Sequence, residues 1–296
     1  MLAERAGVVL DPQAAKKKVE PGSPDDKNTL YGAAAWAEKQ FHEYFLRVNW
    51  RALRARVRRQ TGTKRVALKK FKIGFSPNEW TWIMDRARNT PYTPAVLEAV
   101  GLLGKSGTTG KYYDRFKGRV MFPIRDPQGR TIAFGGRVLP AFAGENAAKY
   151  INSPETRLFS KSDQLYALDI ARNAVTKTRR ITVVEGYTDV VMCHQHGVDD
   201  VVAVLGTALN ERHIQLLRRF ADTIYLVLDG DEAGQRRTND ILEIFVAAQM
   251  DLRILTLPEE FDPDEFLQEH GGEKFRALVE QASDALTRFV SRNTRH

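Results

Sequence analysis

The feature that most constrains the fold is a set of four short, continuous apolar runs in the second half of the chain. They are ITVV (181–184), DDVVAVLG (199–206), TIYLVL (223–228) and LRILTL (252–257). A continuous run of β-branched and leucine residues indicates a strand that is buried on both faces. Helix-like stretches lie between the runs, at 187–196, 210–221 and 233–249. This βαβαβαβ order predicts an α/β fold with a parallel sheet covered by helices.

Acidic residues directly follow two of these predicted strands. Glu185 comes after ITVV, and Asp229 and Asp231 come after TIYLVL. Because ligands of open parallel sheets bind at the carboxyl ends of the strands, the three carboxylates converge if the two strands are neighbours. Oxygen ligands in this number favour Mg²⁺ or Mn²⁺. Taken alone, an Asp-x-Asp sequence beside a glycine is equally consistent with an ordinary turn.

Three further acids are candidates for the same edge of the sheet. Asp189 lies one helical turn after Glu185, and Asp262 and Asp264 follow the fourth predicted strand. Five or six carboxylates near one point repel one another strongly unless cations bind or some of them face water. The pattern therefore predicts a metal site or a partly solvated acidic edge.

The two halves of the chain carry opposite net charges. Residues 1–180 hold 34 Lys plus Arg and 16 Asp plus Glu, whereas residues 181–296 hold 11 and 21. A basic half suits a polyanion such as nucleic acid, and an acidic half suits cations. An unevenly charged solvated surface would give the same totals.

The first half predicts shorter elements. Residues 11–28 have the composition of a linker, and residues 29–60 have helical periodicity followed by an arginine-rich stretch. Residues 66–89 and 93–103 predict short helical segments around a turn at Ser76 and Pro77. Two tryptophans in this region, Trp80 and Trp82, are both expected to pack inside the protein.

Residues 117–139 alternate in the manner of strands and predict a hairpin with DPQG at its turn. Gly135 and Gly136 mark a bulge, or a place where another backbone or a ligand comes close. Arg119, Arg125 and Arg137 fall near one another on this small sheet. Their spacing suits phosphate binding and internal ion pairs equally well.

The single cysteine and the hydropathy pattern bear on location and metals. Cys193 has no Cys or His partners at zinc-binding spacing, so we expect a small apolar filler on a helix and no zinc in this chain. No apolar run approaches the roughly 20 residues of a membrane span, and the first residues lack a secretory hydrophobic region. We therefore expect no membrane partner and a cytoplasmic protein.

Several long motifs, taken together, resemble a known family. They are VVEGYTDV (183–190), LGTAL (205–209), LVLDGDEAG (226–234) and FDPDEF (261–266). This set is similar to the Toprim catalytic core, in the form found in bacterial replicative primases of the DnaG type. Residues 71–80, 115–139 and 149–168 resemble the basic subdomain that is specific to those primases, so the resemblance covers about residues 66–275.

The resemblance implies a role for each candidate residue. Glu185, Asp229 and Asp231 match the main catalytic and metal-binding acids, and Asp189, Asp262 and Asp264 match the secondary ones. The basic ridge that guides the single-stranded template and nucleotide phosphates corresponds to Arg119, Arg125, Arg137, Lys149 and Lys161. The implied reaction is synthesis of short RNA primers on single-stranded DNA from ribonucleoside triphosphates, assisted by Mg²⁺ or Mn²⁺.

The resemblance also implies a domain layout and two departures from the family. We expect a linker at 1–28, the basic subdomain at 29–180, the Toprim subdomain at 181–270 and the start of a helical subdomain at 271–296. Members of the family usually begin with a zinc ribbon and continue into a domain that binds the replicative helicase; this sequence shows neither. Such a protein is expected to work on the nucleoid.

Other functions remain open on the sequence alone. A second Toprim enzyme class cleaves nucleic acid, as nucleases and topoisomerases do. A non-catalytic module would hold single-stranded DNA on its basic face and use the acids structurally. A receiver or phosphatase fold is disfavoured, since its acids follow the first strand whereas Asp229 follows the third of these strands.

Overall fold

A computed structural model describes residues 19–47, 63–145, 147–228, 244–245, 248, 250–258 and 261–284. Asp229, Asp231 and most of the predicted helix at 233–249 lie outside these residues, as do most of the 1–28 linker, the arginine-rich stretch after residue 47 and the end of the 271–296 segment. None of the described helices is both long and apolar enough to cross a membrane.

The helices and strands are numbered along the chain. The helices are α1 (Lys27–Arg47), α2 (Arg65–Lys70), α3 (Trp82–Ala87), α4 (Pro94–Ala99), α5 (Leu168–Thr178), α6 (Tyr187–Gln195), α7 (Glu211–Leu217) and α8 (Pro263–Glu280). The strands are β1 (Gly74–Ser76), β2 (Leu103–Lys105), β3 (Tyr112–Asp114), β4 (Arg119–Arg125), β5 (Thr131–Val138), β6 (Tyr150–Asn152), β7 (Arg180–Val184), β8 (Val201–Ala203), β9 (Thr223–Leu228), β10 (Asp251–Thr256) and β11 (Ser283–Asp284).

The four apolar runs form a parallel sheet, as predicted. The strand order is β11-β10-β9-β7-β8, and only β11 at the edge is antiparallel. Both faces are covered: Val183 and Leu226 pack into one hydrophobic cluster, whereas Val184 and Tyr225 pack into another. This burial on two sides explains why the strands are continuously apolar, and it confirms the α/β class.

The order of the strands creates a crevice at one edge of the sheet. From β7 the chain crosses to β8 on one side, and β9 then pairs on the other side of β7. The connection after β7 leads toward β8 and the one after β9 leads the other way, toward β10, so the two separate beyond these adjacent strands. Ligands of open α/β sheets bind in such a gap. Residues just after β7, β8 and β9 are therefore the ones placed to act.

The first half builds an antiparallel sheet of order β1-β4-β5-β6. The β4–β5 hairpin closes at DPQG as predicted, with Gly129 at φ +83°. The turn expected at Ser76 is instead the end of strand β1, which pairs with β4 and is fully buried. Gly74 permits this, because a Cβ there would lie 2.6 Å from the backbone carbon of Phe41.

Aromatic rings join the two sheets. The ring of Tyr187, at the start of α6, stacks on Phe122 of β4 at a centroid distance of 5.2 Å and meets Tyr166 edge-on at 4.7 Å. Side chains make the close approach expected at Gly135 and Gly136: that of Tyr187 at the first and that of Phe116 at the second. The rings place the carboxyl edge of β7 against the antiparallel sheet.

Candidate active site at the carboxyl edge of the parallel sheet

A cleft of about 490 Å³ opens where the carboxyl ends of β7 and β8 face the antiparallel subdomain. The parallel sheet contributes Glu185 and Gly206 to its lining. The other wall carries two cationic side chains, Arg115 and Lys161, together with Asn152 of β6. One acidic and two cationic side chains thus line the same cleft, an arrangement suited to a cation and a phosphate bound side by side.

A second cavity, of about 350 Å³, extends from Glu185 toward β9. It is also lined by Leu228, the residue immediately before Asp229 in the sequence. β7 and β9 are hydrogen-bonded neighbours in parallel register, with Val183 opposite Leu226. The condition for bringing the acids together, that these two strands be adjacent, is confirmed. The convergence of Asp229 and Asp231 on Glu185 stays a prediction, because both aspartates lie outside the described residues.

Asp189 is placed beside Glu185 by the first turn of α6. Its side chain is largely buried, and a Cβ on Gly186 would lie 2.5 Å from its Oδ2 atom. The absence of a side chain at Gly186 thus gives the carboxylate its space next to the helix start, where the helix dipole favours negative charge. Burial raises the pKa of the nearby Tyr150 hydroxyl; Arg137 opposes this shift, and Asp189 adds to it.

The two acids at the start of α8 differ in their surroundings. Asp262 is the N-cap, and its Oδ1 accepts a hydrogen bond of 2.7 Å from the backbone N–H of Glu265. Asp264 is half-buried and accepts from Gln268 at 2.7 Å. Burial raises the pKa of Asp264, and the negative charge of Asp262 adds to the shift, whereas Arg137 opposes it. Asp262 therefore caps α8 through one carboxylate oxygen, and its role in metal binding stays a prediction. Asp264 lies within electrostatic reach of Arg137.

The described donors at this edge fit a hard divalent cation. They are carboxylates, the ligand class that Mg²⁺ and Mn²⁺ prefer, and the one cysteine is enclosed on α6, where burial raises the pKa of its thiol. Within the part of the chain that the structure describes, no three acidic, histidine or cysteine side chains form a group able to hold a metal. A complete ligand set therefore requires residues such as Asp229 and Asp231.

Arg137 links the basic sheet to the acidic edge. Its Nη1 donates a hydrogen bond of 3.1 Å to the Tyr150 hydroxyl, and its guanidinium lies 5.5 Å from the centre of the Tyr150 ring. The same hydroxyl lies 3.5 Å from Oγ1 of Thr188 on α6. Arg137 is thus held at the subdomain boundary, within electrostatic reach of Asp264.

Arg125 and Arg119 have internal partners. The side chain of Arg125 is 10% exposed; its Nε and Nη2 donate to Glu38 at 3.1 and 2.9 Å, and Nη1 lies 3.6 Å from Asp169. Arg119 is buried, and its Nη1 donates to the carbonyl oxygens of Gly136 (3.0 Å) and Lys149 (3.4 Å). Of the two roles that spacing left open, the structure gives Arg125 the internal ion pair. Arg119 supports the backbone of the ridge.

The two lysines predicted for the ridge are accessible. Lys149 is exposed, and Lys161 is half-exposed and faces the cleft. The segment around Lys161 is fixed by His213 of α7, which is buried and whose Nε2 donates to the Lys161 carbonyl at 3.0 Å. Its other ring nitrogen, Nδ1, accepts from the backbone N–H of Asn210 at 3.3 Å. His213 therefore acts as a neutral packing residue.

Sequence reasoning assigned no role to Arg115. It lines the cleft opposite Glu185, and its Nε is buried without a hydrogen-bond partner in the described structure. A buried donor without a partner is costly, so it is a position at which an anionic ligand would be stabilised. Its only sequence signal is its place at the start of the 115–139 stretch, four residues before Arg119.

The expectation that both tryptophans pack inside was wrong for one of them. Trp82 is buried against Phe41 and Tyr44, but Trp80 is 65% exposed. The Lys117 ammonium lies over the Trp80 indole, and Tyr113 meets it edge-on at 6.1 Å. An exposed aromatic ring with a cation beside it is suited to stacking on nucleic-acid bases.

A larger cavity, of about 590 Å³, lies at the opposite end of the parallel sheet, near Arg180 at the start of β7. It contains none of the predicted site residues. Its lining carries charges of both signs, and Lys70 and Asp199 form an ion pair of 2.7 Å within it. Size alone would point to this cavity, but the chemistry points to the cleft at Glu185.

Comparisons with known proteins show which family the chain resembles. Residues 42–172 match the family described as the N-terminal domain of the DNA primase catalytic core, and residues 182–267 match the Toprim-like family. The chain is 33% identical over 292 residues to the DNA primase of Clostridium acetobutylicum. The alignment covers 98% of this chain and 47% of that protein. It therefore spans about half the length of that relative.

Solved structures show the same fold. A DNA primase domain from Pseudomonas aeruginosa superposes with a TM-score of 0.81 at 36% identity, covering 89% of this chain and 82% of that one. A DnaG primase catalytic domain bound to single-stranded DNA gives a TM-score of 0.79 at 36% identity, covering 88% and 80%. Together with the two family matches, these findings confirm the resemblance inferred from the motifs. This chain belongs to the family of DnaG-type DNA primase catalytic cores with a Toprim domain.

Proposed function

We propose that this chain is the RNA-synthesising core of a DNA primase, which makes short RNA primers from ribonucleoside triphosphates on single-stranded DNA. The observation that carries the proposal is the cleft of about 490 Å³. Glu185, just after β7, lines it together with Arg115 and Lys161. Identity of 36% to a DnaG catalytic domain bound to single-stranded DNA supports this choice of template.

In this proposal Glu185, Asp229 and Asp231 hold Mg²⁺ or Mn²⁺, with Asp189 and Asp264 adding negative charge nearby. The bound metal supplies a lowered pKa for the attacking 3′-hydroxyl and a ligand site for the triphosphate. Asp262 contributes mainly by capping α8, since its carboxylate oxygen is hydrogen-bonded to Glu265.

The basic side chains stabilise the phosphates. Arg115 and Lys161 line the cleft together with Glu185. Arg137 donates a hydrogen bond to Tyr150, which also lines the cleft. Cations fixed in advance at these places offset the charge that develops on the pyrophosphate as the new phosphodiester forms. Lys149 extends the basic surface into solvent. Arg119 and Arg125 have internal partners, so they hold the ridge in shape and do not contact substrate.

The template is placed over the face formed by Trp80, Tyr113 and Lys117. Stacking on an exposed indole is tolerant of sequence because every base has a π face. Base pairing between template and incoming nucleotide then supplies the sequence reading. The cytoplasmic location on the nucleoid, and cooperation with a zinc domain and the replicative helicase in a longer protein, are parts of the same proposal.

The test is RNA synthesis by the unaltered chain and by Asp229→Ala, each given single-stranded DNA, labelled ribonucleotides and Mg²⁺ or Mn²⁺. The proposal predicts template-dependent oligomers from the unaltered chain only. If neither protein makes RNA and both bind DNA equally, a zinc domain added in trans distinguishes the remaining cases. Synthesis restored by the zinc domain supports the proposal, and its continued absence leaves a DNA-binding module.

A further inference from the structure

Tyr187 is fixed in place from several sides. Its ring is stacked between the two sheets and is only 6% exposed, and a Cβ on Gly135 would lie 2.4 Å from its Cζ atom. Its hydroxyl donates a hydrogen bond of 2.6 Å to Oδ1 of Asn152 on β6. Since Tyr187 is two residues after Glu185, this bond ties the end of β7 to the antiparallel sheet.

Asn152 makes a second contact with the parallel sheet. Its Nδ2 donates a hydrogen bond of 2.9 Å to the carbonyl oxygen of Leu205, two residues beyond the end of β8. The chain turns at the next residue, Gly206, which has φ +73°. One amide side chain therefore holds the segments after β7 and β8, and both segments line the cleft with Glu185.

We infer that Asn152 and Tyr187 are a positioning pair that sets the place of the Glu185 carboxylate relative to the basic wall of the cleft. Neither is a catalytic residue. The inference rests on the proposed metal site at Glu185. Without the pair, strands β7 and β8 still form. Glu185 and the loop after β8 then lose the cross-link to β6, which fixes their separation from Arg115 and Lys161.

The structure supplies a matched control for the hydroxyl of Tyr187. Tyr166 belongs to the same ring cluster and is equally enclosed, but its hydroxyl has no hydrogen-bond partner among the described residues. Tyr187→Phe and Tyr166→Phe therefore remove the same atom from the same aromatic environment, and only the first removes a bond to Asn152.

The experiment measures Mn²⁺ binding by electron paramagnetic resonance or calorimetry, on the whole chain without nucleotide. Tyr187→Phe is expected to weaken Mn²⁺ binding on the order of fivefold, the worth of one hydrogen bond, whereas Tyr166→Phe leaves binding unchanged. The Mg²⁺ concentration for half-maximal RNA synthesis rises by the same factor, with little change in kcat at saturating metal. A purely structural defect would lower the melting temperature without changing the Mg²⁺ requirement separately from kcat.

A double-mutant cycle tests the route through Asn152. Asn152→Ala is expected to weaken Mn²⁺ binding more than Tyr187→Phe does, because it releases both segments. Adding Tyr187→Phe to Asn152→Ala should then change nothing. Additive losses, or unaltered Mn²⁺ binding by Tyr187→Phe, would overturn the inference. Weakened Mn²⁺ binding in a chain that makes no RNA, even with a zinc domain added in trans, would instead retain the positioning pair and refute the proposed primase.

Discussion

The parallel and antiparallel sheets use charged residues in different ways. In the parallel sheet the acid that lines the cleft, Glu185, lies just beyond the end of its strand, β7. In the antiparallel sheet two arginines lie within strand β4, at its two ends, and both turn to internal partners. The cations that reach the cleft, Arg115 and Lys161, come from the segments that flank the sheet. Among these residues, the charges beyond strand ends line the cleft, whereas those within β4 have internal partners.

The strongest test of the difference between internal and cleft-facing charges is to remove the internal ion pair of Arg125. Arg125→Ala leaves Glu38 and Asp169 facing each other with side chains only 17% and 12% exposed. Loss of one partner from a buried pair typically costs about 3–5 kcal/mol in the free energy of unfolding, which denaturant titration would measure.

Arg137→Ala is the matched control, since Arg137 is half-exposed and bonded to a tyrosine hydroxyl. Its free energy of unfolding should change by about 1 kcal/mol or less, whereas its affinity for nucleotide should fall. If Arg125→Ala proves fully stable but binds nucleotide or DNA poorly, the division between internal and cleft-facing cations is wrong.

The two tryptophans, two residues apart, give a second comparison between an exposed and a buried side chain. Trp80→Ala should weaken binding of single-stranded DNA by about 1–3 kcal/mol and leave stability unchanged, because the ring is 65% exposed. Trp82→Ala should instead cost about 3–5 kcal/mol of stability, since its ring fills the core beside Phe41. Fluorescence anisotropy with a labelled oligonucleotide and thermal unfolding separate the two effects. Equal effects of both substitutions on DNA binding would argue against a stacking role for Trp80.

Sequence patterns predicted the parallel sheet well for a physical reason. Strands buried on two faces are mostly apolar, so β7 and β9 are recognisable from composition. Strand β10 is half-exposed at Asp251, Arg253 and Thr256, and its leucine and isoleucine residues carry the signal. Strand β1 was missed because it is three residues long and its pairing partner β4 lies about forty-five residues further along the chain. Nothing local distinguishes such a segment from a turn.

The candidate site was predictable in part for the same reason. The acidic edge follows from strand ends, and adjacency of β7 and β9 supports it. The exposure of Trp80, the open position of Arg115 and the enclosure of Arg125 depend on residues distant in sequence, such as Glu38. Side-chain type and spacing carry no information about those partners.

An effect that depends on pH is expected from the buried carboxyl that supports the Trp80 face. Burial raises the pKa of Asp114 from 3.8 to about 7, although the backbone N–H groups of Ile83 and Met84 donate to it. Since the folded state binds this proton more tightly than the unfolded state, Asp114 favours folding below pH 3.8, and that contribution is lost as pH rises to about 7.

Asp114→Asn should remove this part of the pH dependence. The difference in unfolding free energy between the variant and the wild type is expected to move in favour of the variant as pH rises through the same window. Denaturant titrations at several pH values give this difference, in which the other titrating groups cancel. A constant difference would mean that the Asp114 carboxyl keeps an ordinary pKa.

The most direct test of the central claim compares Glu185→Gln with Glu273→Gln, an exposed glutamate on α8. If the acid at the end of β7 supplies charge for metal-assisted RNA synthesis, Glu185→Gln should lower the rate of primer synthesis by about a hundredfold or more. Binding of single-stranded DNA should be unchanged, and Glu273→Gln should behave as the wild type. Primer synthesis that survives Glu185→Gln, or DNA binding that disappears with it, would contradict the assignment of this edge as the catalytic one.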